Sequence, residues 1–187
     1  MSVEIELRTR FDEAKHDELL GYLREHADDL GANDKHIYFY VLPDKLLKVV
    51  DNISAGTAKV SLKTNRIGQG SAFPEIEMEI PPTEVKTAVQ IFNGLGFAEA
   101  MHDASNQRHD FCYQGVDIAL KHSEAWGHHA EFEVLLDGNP TEAEKTRAVA
   151  RIHQVADELD VRLMTEQELA EFTEEFERSQ SAGQCMS

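Results

Sequence analysis

The alternating stretch VEIELR, residues 3–8, decides the fold of this chain. Apolar side chains occupy every second position and charged side chains lie between them, which is the period of a strand with one buried face. The same order of glutamate and apolar residue returns in EIEM at 75–78 and in EFEV at 131–134. A helix-start pattern follows each stretch, namely DEAK at 12–15, TEVK at 83–86 and TEAE at 141–144. The repeat predicts alternating strands that are each packed by their own helix.

Outward from these stretches, the same periodicities predict eight strands and four helices. The strands are expected at 3–11, 36–41, 45–50, 57–63, 73–80, 107–113, 116–122 and 128–136. The helices are expected at 12–30, from 83 to about 93, from 141 to about 160 and from 165 to about 178. Residues 64–72 have the composition of a loop and residues 179–187 that of a disordered tail, so a single domain is expected over 1–178.

The composition argues against several classes of protein. The 187 residues carry 18 lysines and arginines against 35 aspartates and glutamates, for a net charge of −17, which disfavours a basic nucleic-acid-binding or membrane-surface protein. The sequence has no apolar run that could span a bilayer, and its acidic start is unlike a signal peptide. The two cysteines, Cys112 and Cys185, provide neither a disulfide framework nor a metal motif. We therefore expect a cytoplasmic protein with reduced cysteines, and self-association as a homodimer stays open.

The charged face of the predicted sheet carries acids and bases on separate strands. It contains Glu4, Glu6, Arg8, Tyr38, Tyr40, Lys48, Lys59, Ser61, Lys63, Glu75, Glu77, Glu79, Arg108, Asp110, Asp117, Lys121, Glu131 and Glu133. One interpretation is an open sheet with helices on one side and water on the other. The other is a closed barrel, since eight antiparallel strands are enough to close and neighbouring glutamates repel unless a cation or base lies among them. The second predicts an α+β fold, a closed eight-stranded antiparallel barrel with helices outside, whose charged interior serves a charged ligand.

Both kinds of charge on this face are what a metal–triphosphate complex requires. The two carboxylates of a Glu-x-Glu strand can share a hard cation such as Mg²⁺ or Mn²⁺, which takes oxygen ligands and commonly keeps phosphates in its shell. The bases can hold a polyanion, and arginine offers two parallel contacts to a phosphate. Other chemistry has less support: the nine histidines lack cysteine partners at zinc-ligand spacing, and Cys112 lacks a paired nucleophile motif.

These residues resemble, in order, the pattern of the CYTH superfamily. This is the family of triphosphate tunnel proteins, which includes class IV adenylyl cyclases, thiamine triphosphatases and inorganic triphosphatases. EIELR at 4–8 resembles the Glu-x-Glu-x-Lys signature of the family. The stretches that continue the resemblance are DKHIYF at 34–39, LLKVV at 46–50, AKVSLK at 58–63, EIEME at 75–79, Arg108 with Tyr113, and AEFE at 130–133. The resemblance covers about residues 3–160 and implies an eight-stranded tunnel that binds a triphosphate with Mg²⁺ or Mn²⁺.

The resemblance also implies roles for the charged residues. The implied metal ligands, direct or through water, are Glu4, Glu6, Glu131 and Glu133. The implied phosphate ligands are Arg8, Lys48, Lys59, Lys63 and Arg108, and Lys121 is a further candidate phosphate ligand. The implied catalytic set is Glu4, Glu6, Lys63, Glu131 and Glu133, and the supporting acids are Glu75, Glu77, Glu79 and Asp117.

Three activities stay open under this resemblance, and the first is favoured. A hydrolase of inorganic, nucleoside or thiamine triphosphate would direct metal-activated water at the terminal phosphoryl group. A class IV adenylyl cyclase would form cyclic AMP and pyrophosphate from ATP, and a non-catalytic module would only bind the polyphosphate. The departures from the family pattern bear on this choice: Arg8 replaces a lysine, Val50 a second base, Lys121 an aspartate, and Trp126-Gly127 a Gly-Leu-Gly turn.

Overall fold

A computed structural model describes residues 2–64 and 72–184, which form nine strands and four helices. The strands are β1 (Ser2–Arg10), β2 (Asp28–Ala32), β3 (Lys35–Leu42), β4 (Lys45–Asn52), β5 (Thr57–Lys63), β6 (Ala72–Ile80), β7 (Met101–Tyr113), β8 (Val116–Ser123) and β9 (Gly127–Asp137). The helices are α1 (Glu13–His26), α2 (Val85–Phe92), α3 (Glu142–Glu158) and α4 (Glu166–Gln184). None of these described helices combines the length and apolar character that crossing a membrane requires. Helix α4 continues past the predicted domain boundary at 178, whereas residues 65–71 of the predicted loop and 185–187 of the predicted tail lie outside the described residues.

The strands form one antiparallel sheet that curls on itself. Its order is β2-β7-β3-β4-β5-β6-β1-β9-β8, and β7 also pairs with β8. The curl is incomplete along its length. The described parts of β1 and β6 share four residue pairs. Strand β7 pairs with β3 through its first half, 101–106, and with β8 through its second half, 107–113, so these two neighbours do not continue along the whole strand. The predicted α+β class is therefore confirmed, but the predicted closed eight-stranded barrel is wrong. The sheet is a half-barrel, and we call its concave face the trough.

Two apolar cores cover the convex face of the sheet. The larger core lies between α1, α3 and the strands β1, β7, β8 and β9, and its fully buried side chains include Phe111, Phe132 and Ile152. The smaller core lies between α2 and the strands β3 to β5, around Tyr40 and Val49. Because the helices bury the apolar half of each alternating strand, the charged half is left on the trough side.

The first helix is shorter than predicted. It ends at His26 rather than near residue 30, since Ala27 takes an extended backbone and residues 28–32 pair with the edge of β7. Gly31 has a φ of +90° at the irregular step of this pairing, a conformation that glycine adopts without strain. Leu30, which the helical spacing places on the apolar side, is therefore 61% exposed on β2.

Strand β3 presents the opposite face from the predicted one. The prediction that Tyr38 and Tyr40 lie on the charged face is wrong, because Tyr40 is fully buried in the smaller core. The Tyr40 hydroxyl donates to the Val89 carbonyl oxygen of α2 at 3.2 Å, so its polar atom is satisfied inside the core. Phe39 faces the trough instead, where it lies opposite Lys48 of β4.

The two neighbouring aromatic side chains test this orientation of β3. Tyr40→Ala is expected to lower the free energy of unfolding by about 3–5 kcal/mol, because it opens a cavity in a closed core and removes a hydrogen bond. Phe39→Ala is expected to cost clearly less, because Phe39 is only partly buried. Urea unfolding followed by circular dichroism measures both changes, and a larger loss for Phe39→Ala would contradict the orientation described here.

Candidate active site

The trough concentrates the bases of an acidic chain. Cross-strand register places Glu6 opposite Glu133 and Arg8 opposite Glu131 on β1 and β9. Within the described residues, eight of the 18 lysines and arginines occupy trough-side positions: Arg8, Arg10, Lys35, Lys48, Lys59, Lys63, Arg108 and Lys121. Since the chain as a whole carries a net charge of −17, this concentration is a local property of the trough and not of the general surface.

Three glutamates converge beside the β1–β9 pair, and we call Glu4, Glu6 and Glu133 the carboxylate group. One carboxylate oxygen from each lies within 4.8 Å of the other two. Lys63 of β5 donates to Glu4 at 2.5 Å and to Glu6 at 2.9 Å. Among the described residues the Glu133 carboxylate has no hydrogen bond or ion pair, and burial, followed by the charges of Glu131 and Glu6, raises its pKa to about 8. The three carboxylates of the group thus outnumber the described bases that contact them, Lys63 and Arg8, and a bound cation would relieve this excess.

Glu131 lies among bases rather than in the carboxylate group. It accepts a hydrogen bond from Arg8 Nε at 3.2 Å and another from Lys121, and Arg108 Nη1 lies 3.7 Å away. Burial opposes its ionisation, but Lys121, Arg8 and Arg108 outweigh burial and hold the pKa of Glu131 well below its usual range. Its implied role as a metal ligand stays a prediction, and its geometry is that of a counter-ion shared by three bases.

A further ion pair links β4 to β6. Lys48 Nζ lies 3.3 Å from Glu75 Oε1, and the Ser61 hydroxyl donates to the same carboxylate. Burial raises the pKa of Glu75, but Lys48 and Lys63 outweigh it and hold that pKa at about 2. Burial also lowers the pKa of Lys48, and the nearby charge of Lys63 lowers it further. The charge of Lys63 acts on Glu75, Lys63 contacts Glu4 and Glu6, and Arg8 links Glu6 to Glu131. The acids at positions 4, 75 and 131 therefore belong to one set of interacting charges.

Other predicted site residues lie at the rim of the trough, in contact with water. Lys59 pairs with Glu77, and their side chains are 39% and 41% exposed. Glu79 and Asp117 are exposed as well. Glu77 and Glu79 are on the half of β6 that the described part of β1 does not pair with, so the open side of the half-barrel exposes them. The structure does not bring these four side chains to the buried charges.

Lys35 is a further trough base, which the predicted charged face does not include. It lies on β3 opposite Asn52 of β4 and Asn106 of β7. Its omission follows from the reversed orientation of that strand. Had Ile37 and Phe39 been taken as the trough-side residues, the period of two would have placed position 35 on the charged face.

Helix α4 covers the end of the trough next to Arg8. The Trp126 ring packs against Phe172 of α4 with 4.6 Å between ring centroids, and the Arg8 guanidinium lies 5.8 Å from the Trp126 centroid. Arg10 lies over the Phe172 ring and donates from Nε to the Trp126 carbonyl oxygen at 3.0 Å. Trp126, which departs from the family pattern, is therefore a residue against which α4 packs.

The histidines considered as zinc ligands and the cysteine considered as a nucleophile lie apart from the buried charges. His122 and His128 are cross-strand neighbours on the convex face, with ring centroids 4.5 Å apart. Cys112 is on the trough side of β7, where burial, followed by a hydrogen bond with Asp117, raises its pKa. A thiol that is held protonated is a poor nucleophile, which agrees with the interpretation of Cys112 as an ordinary sheet cysteine.

Glu133→Gln tests whether the carboxylate group lacks a neutralising partner. A buried acid whose pKa rises from 4.5 to about 8 on folding favours the folded state when protonated, and this contribution is lost as the pH rises between these values. In EDTA, the variant is therefore expected to gain stability over the wild type with rising pH, by at most about 1.4 kcal/mol per pH unit. Urea titrations at several pH values measure the difference, with Glu79→Gln at the exposed rim as the control. A difference that does not change with pH would contradict this account of Glu133.

No protein-family model matches this sequence, and no curated protein matches it. Solved structures do match the fold. PH1012 from Pyrococcus horikoshii superposes with a TM-score of 0.69 at 24% identity, over 89% of this chain and 98% of that one. HpAC1 from Hippeastrum, a candidate adenylyl cyclase with a dominant triphosphatase activity, gives 0.57 at 17% identity, over 87% and 90% of the two chains. A chain in the Schizosaccharomyces pombe Mediator head module gives 0.65 at 11% identity, over 86% and 97%.

The matching structures share their architecture with this chain over nearly its whole length, although most sequence positions differ. At such identities the similarity describes the fold, and chemistry has to be argued from the residues of this chain. At the level of the fold, this similarity agrees with the resemblance that the charged strands indicated: the chain shares its curled antiparallel architecture with these solved structures.

Proposed function

We propose that the chain is a metal-dependent triphosphatase, an enzyme that hydrolyses a small triphosphate bound in the trough. The observation that carries the proposal is the presence of the carboxylate group and the buried bases on one concave face. Carboxylate oxygens are ligands of hard divalent cations, and buried bases are ligands of phosphate, so this face can receive both parts of a metal–triphosphate complex. The dominant triphosphatase activity of HpAC1 supports the proposal.

Glu4, Glu6 and Glu133 are the residues that would hold Mg²⁺ or Mn²⁺. Their oxygens lie within 4.8 Å of one another, which suits a cation with short oxygen contacts. Glu133 has no cationic partner among the described residues, so the group is not already saturated by the protein. When bound, the cation supplies Lewis-acid polarisation of a phosphate oxygen. Lys63 contacts two of these carboxylates and therefore lies beside any phosphate that shares the cation.

The buried bases would compensate the charge of the polyphosphate. The side chains that are least exposed are those of Lys63 at 6%, Arg8 at 7%, Lys121 at 9%, Arg108 at 15% and Lys48 at 17%. Their attraction for phosphate is stronger than that of surface bases, because little water screens it. These bases are paired with carboxylates in the free protein, so exchanging a carboxylate for a phosphate oxygen keeps each base compensated.

The candidate substrates are inorganic tripolyphosphate, a nucleoside triphosphate and thiamine triphosphate. In the proposed hydrolysis, a water oxygen adds to the terminal phosphorus, the bridging P–O bond breaks, and orthophosphate and the diphosphate are released. The second candidate is the cyclase reaction, because HpAC1 is described as a candidate adenylyl cyclase. There the ribose 3′ oxygen would bond to the α-phosphorus and pyrophosphate would leave. A module that only binds triphosphate would form neither set of products.

A product-resolved assay separates these activities. Tripolyphosphate, ATP and thiamine triphosphate are each incubated with Mg²⁺ or Mn²⁺, and at least one is expected to release orthophosphate. Glu4→Gln and Lys63→Ala are expected to lower kcat by about 10²–10³-fold, because each removes charge stabilisation from the reacting phosphoryl group. Cyclic AMP with pyrophosphate would assign the cyclase reaction instead, and no metal-dependent turnover of any of the three would contradict the proposal.

Lys86→Ala is the matched control for Lys63→Ala. Lys86 is exposed on α2, on the convex side of the sheet, so its removal is expected to leave the rate unchanged. Lys63 is buried between two acids, and its loss leaves their charges without a partner. Thermal unfolding of both variants therefore accompanies the assay, so that a loss of rate is assigned only to protein that is folded.

A further inference from the structure

The second half of β6 has a free backbone edge. Strand β6 pairs with the described part of β1 through residues 72–75, whereas residues 76–80 pair with β5 on one side and with no described strand on the other. We call residues 76–80 the open edge. Within residues 2–64 and 72–184, its backbone groups that point away from β5 have no partner strand. Such an edge is a template on which another extended chain can add.

The exposed side chains of the open edge alternate between apolar and acidic. Ile76 and Met78 are 52% and 61% exposed on the convex side of β6, and they belong to neither apolar core. Glu77 and Glu79 alternate with them on the trough side and are exposed as well. The stretch thus combines unpaired backbone groups with uncovered aliphatic side chains, which is the character of a strand that accepts a partner.

The acids of the open edge serve neither the carboxylate group nor the buried bases. Glu77 contacts Lys59 at the exposed rim of the trough. Glu79 forms no hydrogen bond or ion pair in the part of the chain whose side chains the structure describes. Both acids are therefore available to an approaching chain, and they favour one that carries positive charge.

Strand β5 shows which order of side chains complements β6. Lys59 of β5 lies opposite Glu79 on the trough side. Val60, the next residue, lies opposite Met78 on the convex side. Base thus faces acid on one side of the sheet and apolar faces apolar on the other, and both kinds of cross-strand pair are stabilising. A chain that adds to the open edge meets the same side chains of β6 and is stabilised by the same order.

A second copy of this chain does not complement the open edge. If two open edges paired with each other, the acids of one would lie beside the acids of the other, and like charges across strands are destabilising. Strand β2, at one end of the strand order, has the sequence DDLGA and is acidic too. The net charge of −17 opposes the approach of a second copy and attracts a basic chain.

We propose that the open edge of β6 is a docking site for an extended segment of another protein in which lysine or arginine alternates with aliphatic residues. The segment would add as a strand, with its bases beside Glu77 and Glu79 and its aliphatic side chains on the convex side. In this mode of recognition the main-chain hydrogen bonds provide affinity and the alternating side chains provide specificity. The inference goes beyond the proposed function, because it uses none of the buried charges of the trough.

A peptide with the sequence of β5, TAKVSLK, is the probe for this site. It is added to the full-length protein at concentrations up to about 1 mM, so that a weak complex is also detected. Amide exchange followed by NMR is expected to slow in residues 76–80, because their outward N–H groups gain partners. Glu79→Lys is expected to weaken peptide binding about tenfold, since an attractive cross-strand pair becomes a repulsive one. Glu99→Lys, at an exposed position outside the sheet, makes the same charge change and is expected to bind like the wild type.

Two further peptides separate strand addition from general charge attraction. TAEVSLE reverses the charges, and TAKVSLK methylated at alternate backbone nitrogens keeps the charges but loses main-chain donors. Neither is expected to slow exchange in residues 76–80. Equal protection by the methylated peptide, or no protection by TAKVSLK, would contradict the docking site. The proposal would also be wrong if TAKVSLK displaced β5 and exposed its amides. A dimer in sedimentation experiments, with residues 76–80 protected in the protein alone, would make a second copy the occupant instead.

Discussion

A buried ion-pair bridge from Lys63 to β1 is the contact on which the shape of the trough depends. Lys63 of β5 reaches past β6 to Glu4 and Glu6 of β1, at the place where β6 and β1 share a short backbone pairing. Burying charges costs several kcal/mol per ion, and this cost is offset only when each charge is paired with good geometry. Arg8 continues the connection from Glu6 to Glu131, so the charges of several strands are compensated together.

The compensation is incomplete at two places, and these places give the trough its chemical character. Glu133 has no base and Lys35 has no acid among the described residues, and the two lie on walls separated by several strands. A network that served only stability would gain by satisfying both, because an unpaired buried charge destabilises a fold more than its absence does. The fold alone does not decide the function, since the same architecture occurs in a chain of the Mediator head module. A carboxyl group without a base and an ammonium group without an acid, both on the trough side, are what favour a receptor for a cation and a polyanion.

The sequence predicts most of this site because β1, β5 and β9 alternate cleanly. Near the site, every second residue of each strand is charged or a small polar residue and lies on the trough side. Such a pattern fixes which side chains share a face. Strand β3 is ambiguous, since Tyr38, Phe39 and Tyr40 are consecutive aromatic residues and the Tyr40 hydroxyl is satisfied by a helix that lies far along the chain. The end of α1 and the incomplete closure of the sheet depend on pairing between distant strands, which no local pattern contains. The separation of Glu131 from Glu133 likewise depends on which bases reach each of them from other strands.

The central claim is that the trough is a receptor for a divalent cation and a polyphosphate together. Anomalous diffraction from crystals grown with Mn²⁺ and tripolyphosphate tests it most directly, because the measurement locates the cation and the anion in one experiment. The account predicts a manganese peak among Glu4, Glu6 and Glu133, with phosphate density in the trough beside the buried bases Arg8, Lys63 and Lys121. Manganese or phosphate bound only on the convex face, or a trough that stays empty of both at saturating concentrations, would contradict it.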